Sequence, residues 1–194
     1  MKKSLQWILT LAILCLVTVG LVFILKPAKE EVEPAAPTFV EYLMEDFEYV
    51  QSLANDSTHV ALYEVETVLN GNISETPADS LAIVSSMTVW AVEDTVYLKT
   101  RTWETGEVVL EKKAGVWAGD FAIEHPELVM DFDKAVECLY KAAADSLVVL
   151  PAGDKMTFRR PVGPDALVPL YIFGTVGTNF VSVNAVTGEV APIE

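Results

Sequence analysis

An uncharged apolar run of 21 residues occupies positions 5–25 of the chain. A helix of that length is about 31 Å long, which matches the hydrocarbon core of a bilayer. Trp7 lies near one end of the run, where an indole suits the headgroup boundary. The run is longer than the apolar part of a typical signal peptide, and no clear A-x-A cleavage site follows it. The sequence therefore predicts a single-pass membrane anchor over residues 1–25, and cleavage as a signal peptide is the competing interpretation.

The segment after this run is rich in proline and acidic residues. Residues 26–37, KPAKEEVEPAAP, are predicted to form an extended, solvated linker. Residues 27–194 carry 10 basic and 28 acidic side chains, a formal net charge of −18. Because this charge repels phosphates, we expect no nucleic-acid partner. The acidic residues just after the anchor favour an extracytoplasmic position for the body, since positive charge is retained on the cytoplasmic side.

Thr38 and Glu41 have the spacing of a capping box, which predicts that a helix begins there. The apolar residues that follow at helical spacing are Phe39, Tyr42, Leu43, Val50 and Leu53. Asp46 lies inside the same apolar stripe. We expect its carboxylate to lie at the edge of the stripe or to hydrogen-bond to a neighbouring strand. The alternative is a buried functional acid that lines a cleft.

From Thr58 onward the apolar period changes from 3.6 to 2, which predicts an antiparallel meander. Its expected strands are 58–69, 84–92, 95–103, 108–113 and 116–123, joined by short polar or glycine-containing turns. Asp131 is the expected cap of a second amphipathic helix. Three more extended segments follow, at residues 156–160, 170–173 and 180–185.

The two parts of the body share a pattern, a helix followed by strands and a closing T-G-E-V. That tetrapeptide occurs at residues 105–108 and again at residues 187–190. We therefore predict an α+β fold of antiparallel sheets, each with one packed helix, divided into halves at 38–128 and 129–194. A tandem duplication would account for the pattern.

Residues 129–194 resemble the PepSY type of domain. The resemblance rests on the helix DFDKAVECLYKA at 131–142, the strand PLYIFG at 169–174 and the end FVSVNAVTGEV at 180–190. Asn184 stands where the family more often has an acid. PepSY domains occur in propeptides of secreted peptidases and in membrane-anchored extracytoplasmic proteins. The resemblance implies a non-catalytic binding or regulatory role, and it supplies no catalytic residue.

The sequence contains no recognisable catalytic or cofactor motif. His59 and His125 are the two histidines, and no G-x-S-x-G elbow accompanies them. The zinc patterns H-E-x-x-H and C-x-x-C and the phosphate-binding G-K-[ST] are missing too. An acid-rich stretch holds Asp120, Glu124, Glu127, Asp131 and Asp133, but without the glycine-centred loop of a calcium site. We therefore expect a protein that is not an enzyme and has no cofactor and no metal site.

Four residues are the candidates for partner binding. Arg159 and Arg160 form the one basic pair of the acidic body, and in a strand their side chains point to opposite faces. Balancing nearby acids is the simpler interpretation of that pair. Tyr171 and Phe173 share one strand face, which would form a partner patch if that face is exposed.

These observations predict a single-pass membrane protein with an extracytoplasmic PepSY-like body. Its expected function is a binding or regulatory module towards a protein partner, with a secreted peptidase as the class that the resemblance implies. The alternative is a non-catalytic structural subunit of an envelope assembly. In that case the membrane helix would make the main contacts.

Overall fold

The structure, a computed structural model, describes residues 37–54, 59–162 and 168–193. The predicted anchor and the linker up to residue 36 lie outside these residues. Within the described part of the chain, no helix is both long enough and apolar enough to cross a membrane.

The first helix, α1, covers Phe39–Leu53 and begins with the predicted capping box. The Glu41 amide donates to Thr38 Oγ1 at 3.3 Å, and the Thr38 amide donates to Glu41 Oε2 at 2.8 Å. These bonds satisfy backbone donors that a helix start leaves without an intrahelical acceptor. The capping-box prediction is confirmed. The sequence could predict it because the interaction depends only on residues three positions apart.

The sheet follows the predicted antiparallel pattern, and its strands occur in two runs. The first run is β1 (Val60–Leu69), β2 (Ile83–Val92), β3 (Thr95–Thr102), β4 (Val108–Ala114) and β5 (Asp120–Phe121). Helix α2 (Phe132–Ala144) follows, and then β6 (Lys155–Pro161), β7 (Leu170–Phe173), β8 (Phe180–Asn184) and β9 (Val190–Ile193). Two short 3-10 turns lie at Ala78–Ser80 and Pro126–Leu128. The prediction of an α+β fold is confirmed.

The strands form one sheet, whereas the sequence predicted separate sheets. Their order is β4-β3-β2-β1-β6-β7-β8-β9, and β5 pairs with β6 at the side. Strand β1 pairs antiparallel with β2 on one edge and with β6 on the other, so that Val65 lies opposite both Thr88 and Phe158. The physical reason is that β1 would otherwise expose an unpaired row of backbone groups.

The expected strand at 116–123 is much shorter than predicted. Only Asp120–Phe121 forms a strand, and Ile123 adds an isolated bridge to Leu62. The chain turns at Gly115, and Val116 is 70% exposed, so this segment leaves β4 and pairs with β6 instead. Because its partner is distant in sequence, local alternation could not predict where pairing begins.

Both helices pack on the same face of the sheet, which we call the helix face. Phe39 of α1 contacts Phe158 and Tyr171, while Phe132 of α2 contacts Phe173. Phe158 lies opposite Tyr171 in the sheet, so these rings project from one side. Asp131 Oδ1 accepts from the first amide of α2 at 2.7 Å and from the Phe39 amide at 3.1 Å, which ties the two helix starts together.

The two T-G-E turns have the same local geometry. Gly106 and Gly188 have φ of +69° and +76°, a left-handed conformation that glycine adopts without steric cost. In each turn the glutamate amide donates to the threonine Oγ1 at 3.3 Å. The first turn joins β3 to β4 and the second joins β8 to β9.

These turns differ in their surroundings, which generates a prediction. A Cβ at Gly188 would lie 3.0 Å from Cys138 Sγ, whereas one at Gly106 would meet nothing within 4 Å. Both alanine variants strain the backbone, so we expect Gly106→Ala to cost about 1 kcal/mol of unfolding free energy. Gly188→Ala should cost about 2 kcal/mol, because packing is strained as well. Urea unfolding measures both. Equal losses, or a difference that persists in a Cys138→Ala background, would contradict this explanation.

Candidate functional site

A buried charged cluster lies between α1 and the sheet, formed by Asp46, Lys99 and Arg101. We call it the Asp46 cluster. These three residues are 3%, 3% and 6% exposed. Asp46 Oδ1 accepts from Lys99 Nζ and, at 3.0 Å, from Arg101 Nη2. Thr88 Oγ1 donates to Asp46 Oδ2 at 3.2 Å. The expectation that Asp46 hydrogen-bonds to a neighbouring strand is confirmed.

Aromatic rings and one surface acid complete this cluster. The guanidinium of Arg101 lies 4.2 Å from the ring centre of Tyr42, and Lys99 Nζ lies 4.9 Å from that of Tyr49. Glu45, whose side chain is 60% exposed, accepts from Arg101 Nη2 at 3.2 Å. Since the two cations are held by these acids and ring faces, we assign the cluster to the docking of α1 on the sheet.

A second charged cluster lies around β1, β5 and β6, formed by Glu64, Asp120 and Arg159. We call it the Glu64 cluster. Glu64 is directly opposite Arg159 in the sheet, and Asp120 enters from β5 beside the end of β6. Arg159 Nη1 lies 3.6 Å from Asp120 Oδ1, and the Asp120 side chain is 2% exposed. Arg159 therefore balances a buried acid, which is the simpler of its two predicted roles.

The Glu64 carboxyl retains its proton to an unusual degree. Burial raises its pKa to about 7, and the hydrogen bond to Asp120, the charge of Asp120 and that of Glu66 act in the same direction. The positive charge of Arg159 opposes these effects only in part. A hydrogen bond between two carboxyl groups needs a proton, so this pair shares one proton below neutral pH.

A cavity of about 260 Å³ lies beside the next residue of β6, Arg160. We call it the Arg160 cavity. Its lining is mostly apolar and consists of Ala122, Ile123, Glu124, His125, Leu128, Val129, Arg160, Pro169 and Val186. Arg160 Nη1 donates to the Ala122 carbonyl at 3.5 Å, and the guanidinium lies 5.3 Å from the ring centre of Phe121. Its buried Nε, like that of Arg101 and of Arg159, has no hydrogen-bond partner in the described part of the chain.

The structure separates the four residues that the sequence predicted as binding candidates. Arg159 joins the Glu64 cluster and Arg160 lines the cavity, as expected for neighbours that point apart along a strand. Tyr171 and Phe173 are 0% exposed and belong to the core. The Tyr171 hydroxyl donates to the Met130 carbonyl at 2.6 Å. The condition for a partner patch on β7, an exposed aromatic face, is therefore not met, because that face of the strand carries the helices.

Sequence reasoning did not anticipate Glu64 or Leu128 as site residues. The strand alternation predicts that Glu64 faces solvent. In the structure, β5 pairs beside it and brings Asp120 close to its carboxyl group. In the sequence, Asp120 is distinguished only as a member of the acid-rich stretch. Among the residues that the structure describes, no group of three or more His, Cys, Asp or Glu side chains is placed to hold a metal ion.

The similarity of this chain to known proteins is weak. One solved structure with a similar chain trace is that of a Clostridium difficile 630 protein provisionally described as a lipoprotein. The two chains are 10% identical with a TM-score of 0.46, over 82% of this chain and 93% of that one. No family model and no curated protein matches the chain. The similarity is too low to assign a family or a function.

The Asp46 cluster generates a prediction with a matched neighbouring control. Asp46→Asn leaves the buried Lys99 without a carboxylate and Arg101 with the exposed Glu45 alone, so we expect the free energy of unfolding to fall by about 3 kcal/mol or more. Glu45→Gln removes an acid that is largely in water, and it should cost at most about 1 kcal/mol. Urea unfolding followed by tryptophan fluorescence gives both values. Similar losses for the two variants would contradict the assigned role of Asp46.

The Glu64 cluster predicts a particular dependence of stability on pH. The pKa of Glu64 is about 7 in the folded chain against 4.5 for a free glutamate. Between these values the folded state binds more protons than the unfolded state, so stability falls as pH rises from 4.5 to 7. Since Glu64 is partly exposed, solvent screening reduces the effect, and we expect a loss of about 3 °C in Tm.

Thermal melts of wild type and Glu64→Gln across this pH range test the prediction. Glutamine keeps a donor towards Asp120 but does not titrate, so the variant should lack this part of the pH dependence and melt higher than wild type at pH 8. Glu104→Gln, which changes an exposed acid, should follow the wild type. An unchanged slope in Glu64→Gln would show that another group is responsible.

Proposed function

We propose that this chain is a membrane-anchored, extracytoplasmic binding or regulatory module, and that its partner is a protein. The apolar run at residues 5–25 and the acidic linker support the anchored topology. The observation that carries the binding role is the Arg160 cavity, a concave and mostly apolar surface. Among the described residues, the Arg160 guanidinium makes a single hydrogen bond, at 3.5 Å. Such a surface recognises a partner without any bond being made or broken.

The size of the cavity favours a protein partner. At about 260 Å³ it lies just below the usual range for small-molecule pockets, and it suits an inserted side chain. Leu128 and Val186 at its rim are 70% and 55% exposed. In protein interfaces a few anchoring residues buried in such pockets supply most of the binding energy, and the contacts around them exclude water.

The proposed relation to PepSY domains rests on the sequence resemblance of residues 129–194. The arrangement of the strands supports the proposed duplication. Helix α1 is followed by the meander β1–β4, and helix α2 by the meander β6–β9, so that the sheet order is symmetric about the β1–β6 pair. The T-G-E turn occupies the same place in each half, before the last strand. Within this proposal, a secreted peptidase is the partner class to test first.

Photocrosslinking in cells tests the proposal. A photoreactive residue placed at position 128 of the full-length chain should capture a defined extracytoplasmic protein, and mass spectrometry would show whether that protein is a peptidase. Arg160→Gln should reduce the yield several-fold, and Lys155→Gln, an exposed change on the same strand, should not. A binding role for this cavity would be refuted if position 128 captured no protein. It would also be refuted if Arg160→Gln left the crosslinking yield unchanged.

The alternative function, a structural subunit of an envelope assembly, is favoured by the free edge of β4. The Thr102 amide donates to the Glu107 carbonyl, which fixes the residues of β4 whose backbone groups face β3. Because this orientation alternates along an antiparallel strand, the backbone groups of Val108, Leu110 and Lys112 point away from β3. Val109 on this strand is 50% exposed. Crosslinks to integral membrane proteins from position 112, with none from position 128, would favour this alternative over the binding module.

A further inference from the structure

Arg160 differs from the other two arginines of the chain in its partners. Arg101 is held by Asp46 and Glu45, and Arg159 faces Asp120. No carboxylate of the described residues lies within ion-pair distance of Arg160, although the body is strongly acidic. A guanidinium carries five N–H donors, and this one has a single long bond to a carbonyl. Within the described part of the chain, no ion pair therefore balances the charge of this partly buried cation.

The other lining residues define which further chemical group a ligand of this cavity needs besides an anionic one. Ile123, Val129 and Pro169 present apolar surface to the same space as the guanidinium. A ligand that fills it therefore combines one apolar group with one anionic group a few ångströms away. Glu124 also lines the cavity, and its charge disfavours a dianion such as a phosphate monoester. A carboxylate carries a single charge and matches the guanidinium with two parallel hydrogen bonds.

We propose that the Arg160 cavity binds the C-terminal residue of a partner polypeptide. The terminal α-carboxylate bonds to Arg160, and the apolar side chain of the last residue fills the space between Ile123, Leu128 and Val186. The exposed rim at Leu128 then contacts the residues that precede the terminus. A C-terminal residue joins these two groups at one carbon atom, which satisfies both requirements of the cavity. This inference rests on the proposed binding function and specifies the ligand class.

Titration of the full-length chain in detergent with two peptides tests the inference. Both are acetylated tetrapeptides of three alanines and a terminal leucine, one ending in a free carboxylate and the other in an amide. We expect the free acid to bind at least about tenfold more tightly, because the amide cannot form the charged pair with Arg160. Arg160→Gln should remove this preference, while Lys155→Gln should retain it.

Two results would overturn the inference. Equal affinity for the acid and the amide in the wild-type chain would exclude carboxylate recognition, and this comparison does not depend on whether Arg160→Gln folds. Equal affinity for 4-methylpentanoate and the free-acid peptide would identify a small apolar acid as the ligand instead of a polypeptide terminus. If either result appears while position 128 still crosslinks to a partner, the binding function stands and only the C-terminal ligand class fails.

Discussion

The pairing of β1 with β6 is the interaction on which the rest of the structure depends. It joins the two helix-and-meander halves into one sheet and gives both helices a common face to cover. It also places Glu64 opposite Arg159, and it leaves the end of β6 free to pair with β5. The Glu64 cluster and the Arg160 cavity both lie where these strands meet, so neither exists in an isolated half.

The fold accepts two charged clusters because each charge has an oppositely charged or protonated neighbour. Asp46 is buried together with two cations, which offsets the cost of removing it from water. Asp120 is buried beside one cation and one carboxyl that holds its proton near neutral pH. Arg160 is the exception among the arginines, because no carboxylate of the described residues forms an ion pair with it, and it lines a mostly apolar cavity. Its difference from the paired arginines is what points to a ligand.

Prediction from the sequence succeeded where the interactions are local. The capping box at Thr38, the cap at Asp131 and most strand positions follow from residue spacing within a few positions. The divergence of Arg159 and Arg160 follows from strand geometry alone. The sequence could not show which face of β7 is buried, because both of its faces carry apolar residues. Tyr171 and Phe173 were therefore open to either interpretation, and the helices decided it.

The sequence by itself determined the α+β composition, the antiparallel strands, the helix starts, the acidic charge and the apolar run at residues 5–25. These features depend on periodicity and on interactions between residues close in the chain. The tertiary structure decided that there is one sheet, that Glu64 is half buried and that no carboxylate of the described residues pairs with Arg160. These features depend on contacts between segments that are distant in the chain, such as Glu64 with Arg159. Strand alternation carries no information about which distant edge a strand will meet.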